Sequence, residues 1–171
     1  TLFEKRVAAD DLPYYLGLME HLARRGIPSP LPHRDRSGAL IGRLNGRPAA
    51  IVDWLKGAWL RDPTMDDVRQ AGRVLAQLHL AGADFPLTLP NAMGLDAWTR
   101  LAERCAERAS GESAAMLAIL AAEIDRLRRD WPSGLPSGPI HADMFPDNVL
   151  FDGGQVSGVI DYYFACNDFW A

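Results

Sequence analysis

The chain has 171 residues, 48% of apolar type and 23% charged, with a formal net charge of −4 at pH 7. Such a length fits one compact domain or two small lobes, and the apolar share is too high for a disordered chain. The acidic balance without a basic block argues against a dedicated nucleic-acid binder, and no apolar run approaches the length that spans a bilayer.

Residues 1 to 7 (TLFEKRV) read as a strand. A helix is expected over 10–25, with Asp10 or Asp11 as N-cap, Pro13 in the first turn and Gly26 as its stop. Pro28, Pro30 and Pro32 forbid its continuation. A hairpin follows, 39–44 and 47–55 around Asn45-Gly46, among the strongest local turn signals. Thr64, with Asp67 three positions on, caps a long helix whose Val68, Ala71, Leu75, Leu78 and Gly82 recur at helical spacing. Residues 83–94 read as a loop, 95–109 and 113–129 as two amphipathic helices, and 131–139 as a connector rich in Pro and Gly. Cys105 and Cys166 have neither CxxC spacing nor a His/Cys cluster nearby, so reduced thiols in a cytoplasmic protein are expected, with neither disulfide nor zinc. The N-terminus does not read as a signal peptide.

The last third carries the chemistry. Val149-Leu150-Phe151, the turn Asp152-Gly153-Gly154 and the run from Val156 to Ile160 predict an antiparallel hairpin. Asn148 precedes the first strand and Asp161 follows the second, so the hairpin brings them together. His141 and Asp143 lie upstream on the same loop. Two hard oxygen ligands with room for water and phosphate suit Mg²⁺, and a carboxylate not needed by the ion can take a proton from a hydroxyl nucleophile. An Asp, an Asn five residues later and a second Asp after a hairpin form the working half of a kinase-like phosphotransferase. The plainer alternative has Asp143 and Asp147 capping a turn, Asn148 filling a loop position and Asp161 ending a strand.

The segments HADMFPDNVLF and IDYYFACND resemble the aminoglycoside phosphotransferase and choline kinase-like group, whose catalytic loop reads H-G-D-x-x-x-x-N before a strand ending I-D. Within it, Phe164-Ala165-Cys166-Asn167-Asp168 is most similar to the bacterial homoserine kinases of this fold. The resemblance runs over essentially the whole chain. It implies an α+β, protein-kinase-like two-lobed fold, with residues 1–56 the remainder of the nucleotide lobe and hinge and 57–171 the helical lobe. It also implies ATP and Mg²⁺ as cofactors and homoserine as acceptor. Asp143 would be the base and His141 the anchor of its loop, with Asn148 and Asp161 as metal ligands. Asp53, Trp54 and Leu55 would line the adenine site, or merely end a buried strand. Homoserine is a zwitterion, and Asn167 and Asp168, next to Asp161, offer the amide or anionic group its ammonium needs; the alternative for Asp168 is structural support of the loop after the strand. His79 would orient the catalytic loop through a ring hydrogen bond, or simply be a satisfied core histidine.

The departures are informative. Ala142 stands where Gly is commoner, a mild exchange if φ stays negative. No glycine-rich phosphate loop is present in the sequence given, and Thr1 falls where the phosphate-binding Lys or Arg usually stands. Lys5 with Glu20 is a substitute ion pair to consider, although the helix register set by Gly26 puts Tyr15 near the usual Glu position. Opening on Thr1-Leu2-Phe3 and stopping at Phe169-Trp170-Ala171, the chain reads as a fragment. Rival readings are an aminoglycoside- or choline-type kinase, a non-catalytic kinase-like binding module and a metal-dependent hydrolase.

Overall fold

A 12-residue helix, α1 (Leu12–Ala23), is apolar on nearly every side and is buried accordingly. Leu12, Leu16, Leu18 and Leu22 are wholly buried, and Tyr14, Tyr15 and Met19 nearly so. In the computed structural model, which describes residues 1–3 and 7–170, this helix is the centre of the larger of two units, Thr1–Pro90 with Ser137–Ala171. A 3₁₀ turn, Ala9–Asp11, leads in, and Gly26 at φ 80° ends the run. The expected strand over 1–7 survives as Leu2 bridged to Ala49, with Phe3 N–H on the Pro48 carbonyl at 3.0 Å. Glu4, Lys5 and Arg6 lie outside the described residues, and with them the Lys5–Glu20 pair.

Among the described residues, this unit also holds four short antiparallel pairs. β1 (Pro32–His33) pairs with β4 (Ile51–Val52), and β2 (Gly42–Leu44) with β3 (Arg47–Ala49). Asn45 and Gly46, both at positive φ, make the two-residue turn that matches strand twist. Helix α2 (Met65–Gly82) opens on the predicted capping box: Asp67 N–H donates to Thr64 Oγ1, and Thr64 N–H to Asp67 Oδ2. At the far ends of α1 and α2, His21 Nε2–H donates to the Ala81 carbonyl and Arg25 reaches Asp84.

The connector expected over 131–139 needs correction. Ser137–Ile140 forms a strand, β5, paired with β8 (Cys166–Phe169) in the register Ile140↔Cys166. Gly138 and Pro139 hid it, because both weaken strand propensity and the partner lies beyond the hairpin. That hairpin, β6 (Val149–Asp152) with β7 (Gln155–Val159), nests inside the β5–β8 pair, turning at Gly153 and Gly154.

The second unit, Asn91–Pro136, is a helical hairpin of α3 (Leu95–Ala106) and α4 (Glu112–Asp130). Arg128, near the end of α4, donates to Thr99 at 2.8 Å near the start of α3, which fixes an antiparallel pairing. Trp98 meets Trp131 edge-on at 6.0 Å. Small side chains, Ala102, Ala106, Ala118 and Ala121 among them, leave a hollow of about 430 Å³ between the two helices.

Candidate active site

The loop between β5 and β6 is held by its own side chains. His141 is fully buried, and its Nε2–H donates to the Ile160 carbonyl at 2.9 Å. Its Nδ1 then accepts from the Asp143 N–H at 3.3 Å, which fixes the neutral tautomer. Burial pushes its proton affinity down, opposed by the bond to Ile160 and by the carboxylates of Asp143 and Asp161. Both carboxylates therefore act on the same ring.

Asn148 is buried at the end of a 3₁₀ turn, Pro146–Asn148. Its Nδ2 donates to the Asp143 carbonyl at 2.8 Å and to Asp143 Oδ2 at 3.1 Å. One carboxylate oxygen of Asp143 is thus occupied and the side chain oriented, while the side-chain oxygen of Asn148 is its remaining group. Ile160 N–H donates to the Asn148 carbonyl at 3.0 Å, continuing the hairpin ladder by one rung. Asp161 follows directly, exposed, at φ 64° and ψ 61°. His141, Asp143 and Asn148 are therefore joined by hydrogen bonds, and Asp161 adjoins them through Ile160. Asn148 and Asp161 offer two hard oxygen donors, a set that fits Mg²⁺ sharing its shell with water and phosphate. Among the described residues no cluster of three His, Cys, Asp or Glu could hold a metal unaided.

Ala142 departs from expectation. Its φ is 62°, so the exchange for Gly is not the mild one foreseen at negative φ. A Cβ in the left-handed region costs about 1–2 kcal/mol, a strain the loop carries beside its most firmly bonded residue.

Along the expected adenine segment, Asp53 N–H donates to the Leu31 carbonyl at 3.0 Å, and Asp53 Oδ1 accepts from His33 Nε2–H at 2.6 Å. Leu55 lies over Gly158, and Trp54 is 95% exposed. Farther on, the Lys56 carbonyl is taken by Ser157 and both backbone groups of Ala58 by Phe151. The backbone of Trp54 and Leu55 is not engaged by these bonds, so a planar ring can address it.

Asn167 is committed to structure. Its N–H donates to the Leu89 carbonyl at 2.7 Å and its Oδ1 accepts from Leu89 N–H at 2.9 Å, fastening the 83–94 loop to β8. Asp168 Oδ1 accepts from Phe169 N–H at 2.8 Å. Both border a hollow of about 340 Å³ with Phe85, Thr88 and Ser137. His79 stacks on Trp170 at 5.8 Å with 10° between ring planes, and burial lowers its proton affinity. Among the described residues it makes no hydrogen bond to the catalytic loop; it is half-buried and packed against Trp170. Glu20 turns to Arg34 and Arg24. Tyr15 meets Tyr163 edge-on at 5.7 Å, so an aromatic contact joins α1 to the segment after Asp161.

Sequence reasoning passed over three features. Two are exposed aromatic rings: Phe145, inside the loop between Asp143 and Asn148, is 64% exposed, and Phe164, at the end of the 3₁₀ turn after Asp161, is 47% exposed. The third is the packing of residues 55–58 against the β6–β7 hairpin, for which no local signal exists.

A family model described as the phosphotransferase enzyme family matches residues 1–171. Homoserine kinases of Bradyrhizobium sp. strain BTAi1 and Rhizobium etli strain CIAT 652 are each 53% identical to the chain over 171 residues. The match takes in all of this chain but 52% and 53% of theirs, so the chain spans about half the length of the curated relatives it matches. Among solved structures, an aminoglycoside phosphotransferase from Alicyclobacillus acidocaldarius superposes with a TM-score of 0.60 at 20% identity, covering 96% of this chain and 56% of that one. The apo form of a thermostable mutant of aminoglycoside phosphotransferase APH(4)-Ia gives 0.62 at 19%, covering 92% and 58%. At such identities the likeness speaks for the fold alone, which is the protein-kinase-like fold of the aminoglycoside phosphotransferases.

Proposed function

The chain belongs to the phosphotransferase enzyme family, and on that premise we propose that it carries the catalytic loop and metal ligands of an ATP-dependent kinase whose acceptor is the side-chain hydroxyl of homoserine. Asp143 is the base. With Oδ2 held by Asn148 Nδ2, its other oxygen is available to the acceptor hydroxyl. As the acceptor oxygen bonds to the γ-phosphorus, the bond from that phosphorus to the β–γ bridging oxygen breaks, ADP leaves, and the hydroxyl proton passes to Asp143. Asn148 and Asp161 hold Mg²⁺, which when bound neutralises charge on the nucleotide phosphates. His141 positions the loop by tying it to Ile160. The backbone of Trp54 and Leu55, with Asp53 beside it, takes the adenine edge, and residues 1–56 and 57–171 are the two lobes of this reading.

Homoserine is a zwitterion. Asn167 and Asp168 supply the amide and carboxylate proposed to receive its ammonium, each also bonded within the fold, Asn167 to Leu89 and Asp168 to Phe169 N–H. Among the described residues no helix is long and apolar enough to cross a membrane. Together with free Cys105 and Cys166, that agrees with a reaction in the cytoplasm.

What carries the reading is the pairing of a base held by an amide with a buried histidine that locks the same loop. The name shared by the curated relatives supports the acceptor. The test is phosphoryl transfer by the full-length protein from Mg·ATP to homoserine, choline and kanamycin. Homoserine is expected to win by a wide margin in kcat/KM. A preference for choline or kanamycin would move the acceptor and leave the chemistry, while tight nucleotide binding without transfer to any of them would favour a non-catalytic module.

A further inference from the structure

The β6–β7 ladder slips between Leu150 and Phe151: Leu150 faces Gly158, but Phe151 faces Val156. Ser157 is the residue left over, a β-bulge. Bulges re-aim a side chain, and Ser157 is aimed at the neighbouring segment. The Ser157 hydroxyl donates to the Lys56 carbonyl at 2.7 Å. Phe151, opposite the bulge, exchanges both backbone bonds with Ala58, at 3.0 and 2.9 Å.

Gly57, between Lys56 and Ala58, sits at φ 120°, and a Cβ there would lie 2.7 Å from the Phe151 carbonyl oxygen. On the other side of Lys56, a Cβ on Gly158 would lie 2.9 Å from Leu55 Cδ1. Two glycines thus let residues 55–58 lie directly on the hairpin, and Ser157 pins them in register. The same hairpin carries Asn148 and Asp161 at its open end.

Building on the proposed nucleotide site, we infer that Ser157 is a positioning residue for the nucleotide: it sets the distance between the segment that takes the base and the pair that holds the metal. A ligand spanning both ends feels that distance. A ligand touching only the base segment does not. This asymmetry separates positioning from mere support.

The experiment compares wild-type, Ser157→Ala and Ser157→Thr forms of the full-length protein by calorimetric titration with Mg·ATP and with adenosine. Losing one hydrogen bond of ordinary strength is expected to weaken Mg·ATP by about fivefold in Ser157→Ala. Adenosine affinity should be unchanged, and Ser157→Thr, which keeps the hydroxyl, should restore Mg·ATP binding. Equal weakening of both ligands would overturn the inference by showing a loosened base segment, as would unchanged Mg·ATP affinity in Ser157→Ala. Wild-type protein that binds neither ligand would overturn the nucleotide reading itself.

Discussion

His141 donates to the carbonyl of Ile160, and the residue after each partner, Ala142 and Asp161, lies in the left-handed region. One hydrogen bond from a buried ring thus clamps two backbone positions that an L-residue adopts reluctantly. Without it both segments would be free to relax toward ordinary φ, carrying Asp143 and Asp161 away from their present positions.

His141→Leu, similar in bulk but unable to bond, leaves the Ile160 carbonyl and the Asp143 N–H without partners. The expected cost is about 2–4 kcal/mol at pH 7.5, read from urea unfolding. The pH dependence has a definite sign. Burial lowers the folded-state proton affinity of His141, so its contribution is whole above its ordinary value of about 6.5 and drains away as pH falls toward the lowered folded value. Between pH 7 and 5 the wild type should lose more stability than His141→Leu. His21 and His79 are lowered in the same sense, but they cancel in the difference. Parallel pH curves would refute the assignment.

Ala142→Gly removes a Cβ from φ 62°. The strain relieved is about 1–2 kcal/mol, offset in part by the greater freedom of Gly in the unfolded chain. A net gain of about 0.5–1 kcal/mol is expected in the urea midpoint. Destabilisation would mean that the Ala142 methyl makes packing contacts that outweigh the strain.

Asp143→Asn and Asp161→Ala should part company. The first removes the proton acceptor and is expected to lower kcat by at least about a hundredfold, with Mg·ATP affinity little changed. The second removes a ligand, so the Mg²⁺ dependence of nucleotide binding should disappear, because Asn148 alone cannot compete with the hydration shell of the ion. Calorimetry beside steady-state kinetics reads both. Loss of nucleotide affinity in Asp143→Asn would reassign that residue to supporting the loop or the ion.

Glu20 is bonded first to Arg34 and then to Arg24, which holds its carboxyl below the ordinary range. Its side chain is 12% exposed while both guanidinium groups reach solvent. Glu20→Gln should therefore cost about 1 kcal/mol, between the values for exposed and buried pairs. The lowered folded value means this contribution is complete above about pH 4.5 and lost as pH falls through it. Wild type and variant should converge in urea midpoints as pH falls below the lowered folded value of Glu20. A gap that persists there would assign the effect to packing.

What was legible in the sequence is what short-range chemistry specifies. Asn45-Gly46, Gly153-Gly154 and the Thr64–Asp67 box each act within four residues, and all formed as expected. The hairpin geometry likewise set Asn148 beside Ile160 and hence Asp161. The sequence was silent where the deciding partner is remote. β5 exists because of Cys166 to Phe169, the left-handed turn at Ala142 because of the clamp on Ile160, and the bulge at Ser157 shows itself only with Lys56 and Ala58 in place. Asn167 was read by its chemistry as a substrate ligand, but its partner Leu89 lies at a sequence separation no local pattern reveals.

The nesting of β6–β7 within β5–β8 bears on how the site is built during folding. Loop-closure entropy grows with the length enclosed, so the least costly order begins at the Gly153-Gly154 turn and works outward. The inner hairpin closes first, the Asn148–Ile160 rung next, the His141 clamp after it, and the β5–β8 pair last. Every group assigned to proton transfer or metal binding lies within that one local segment. Its formation can proceed by successive closures, each extending the one before, out to the pairing of Ser137 with Phe169.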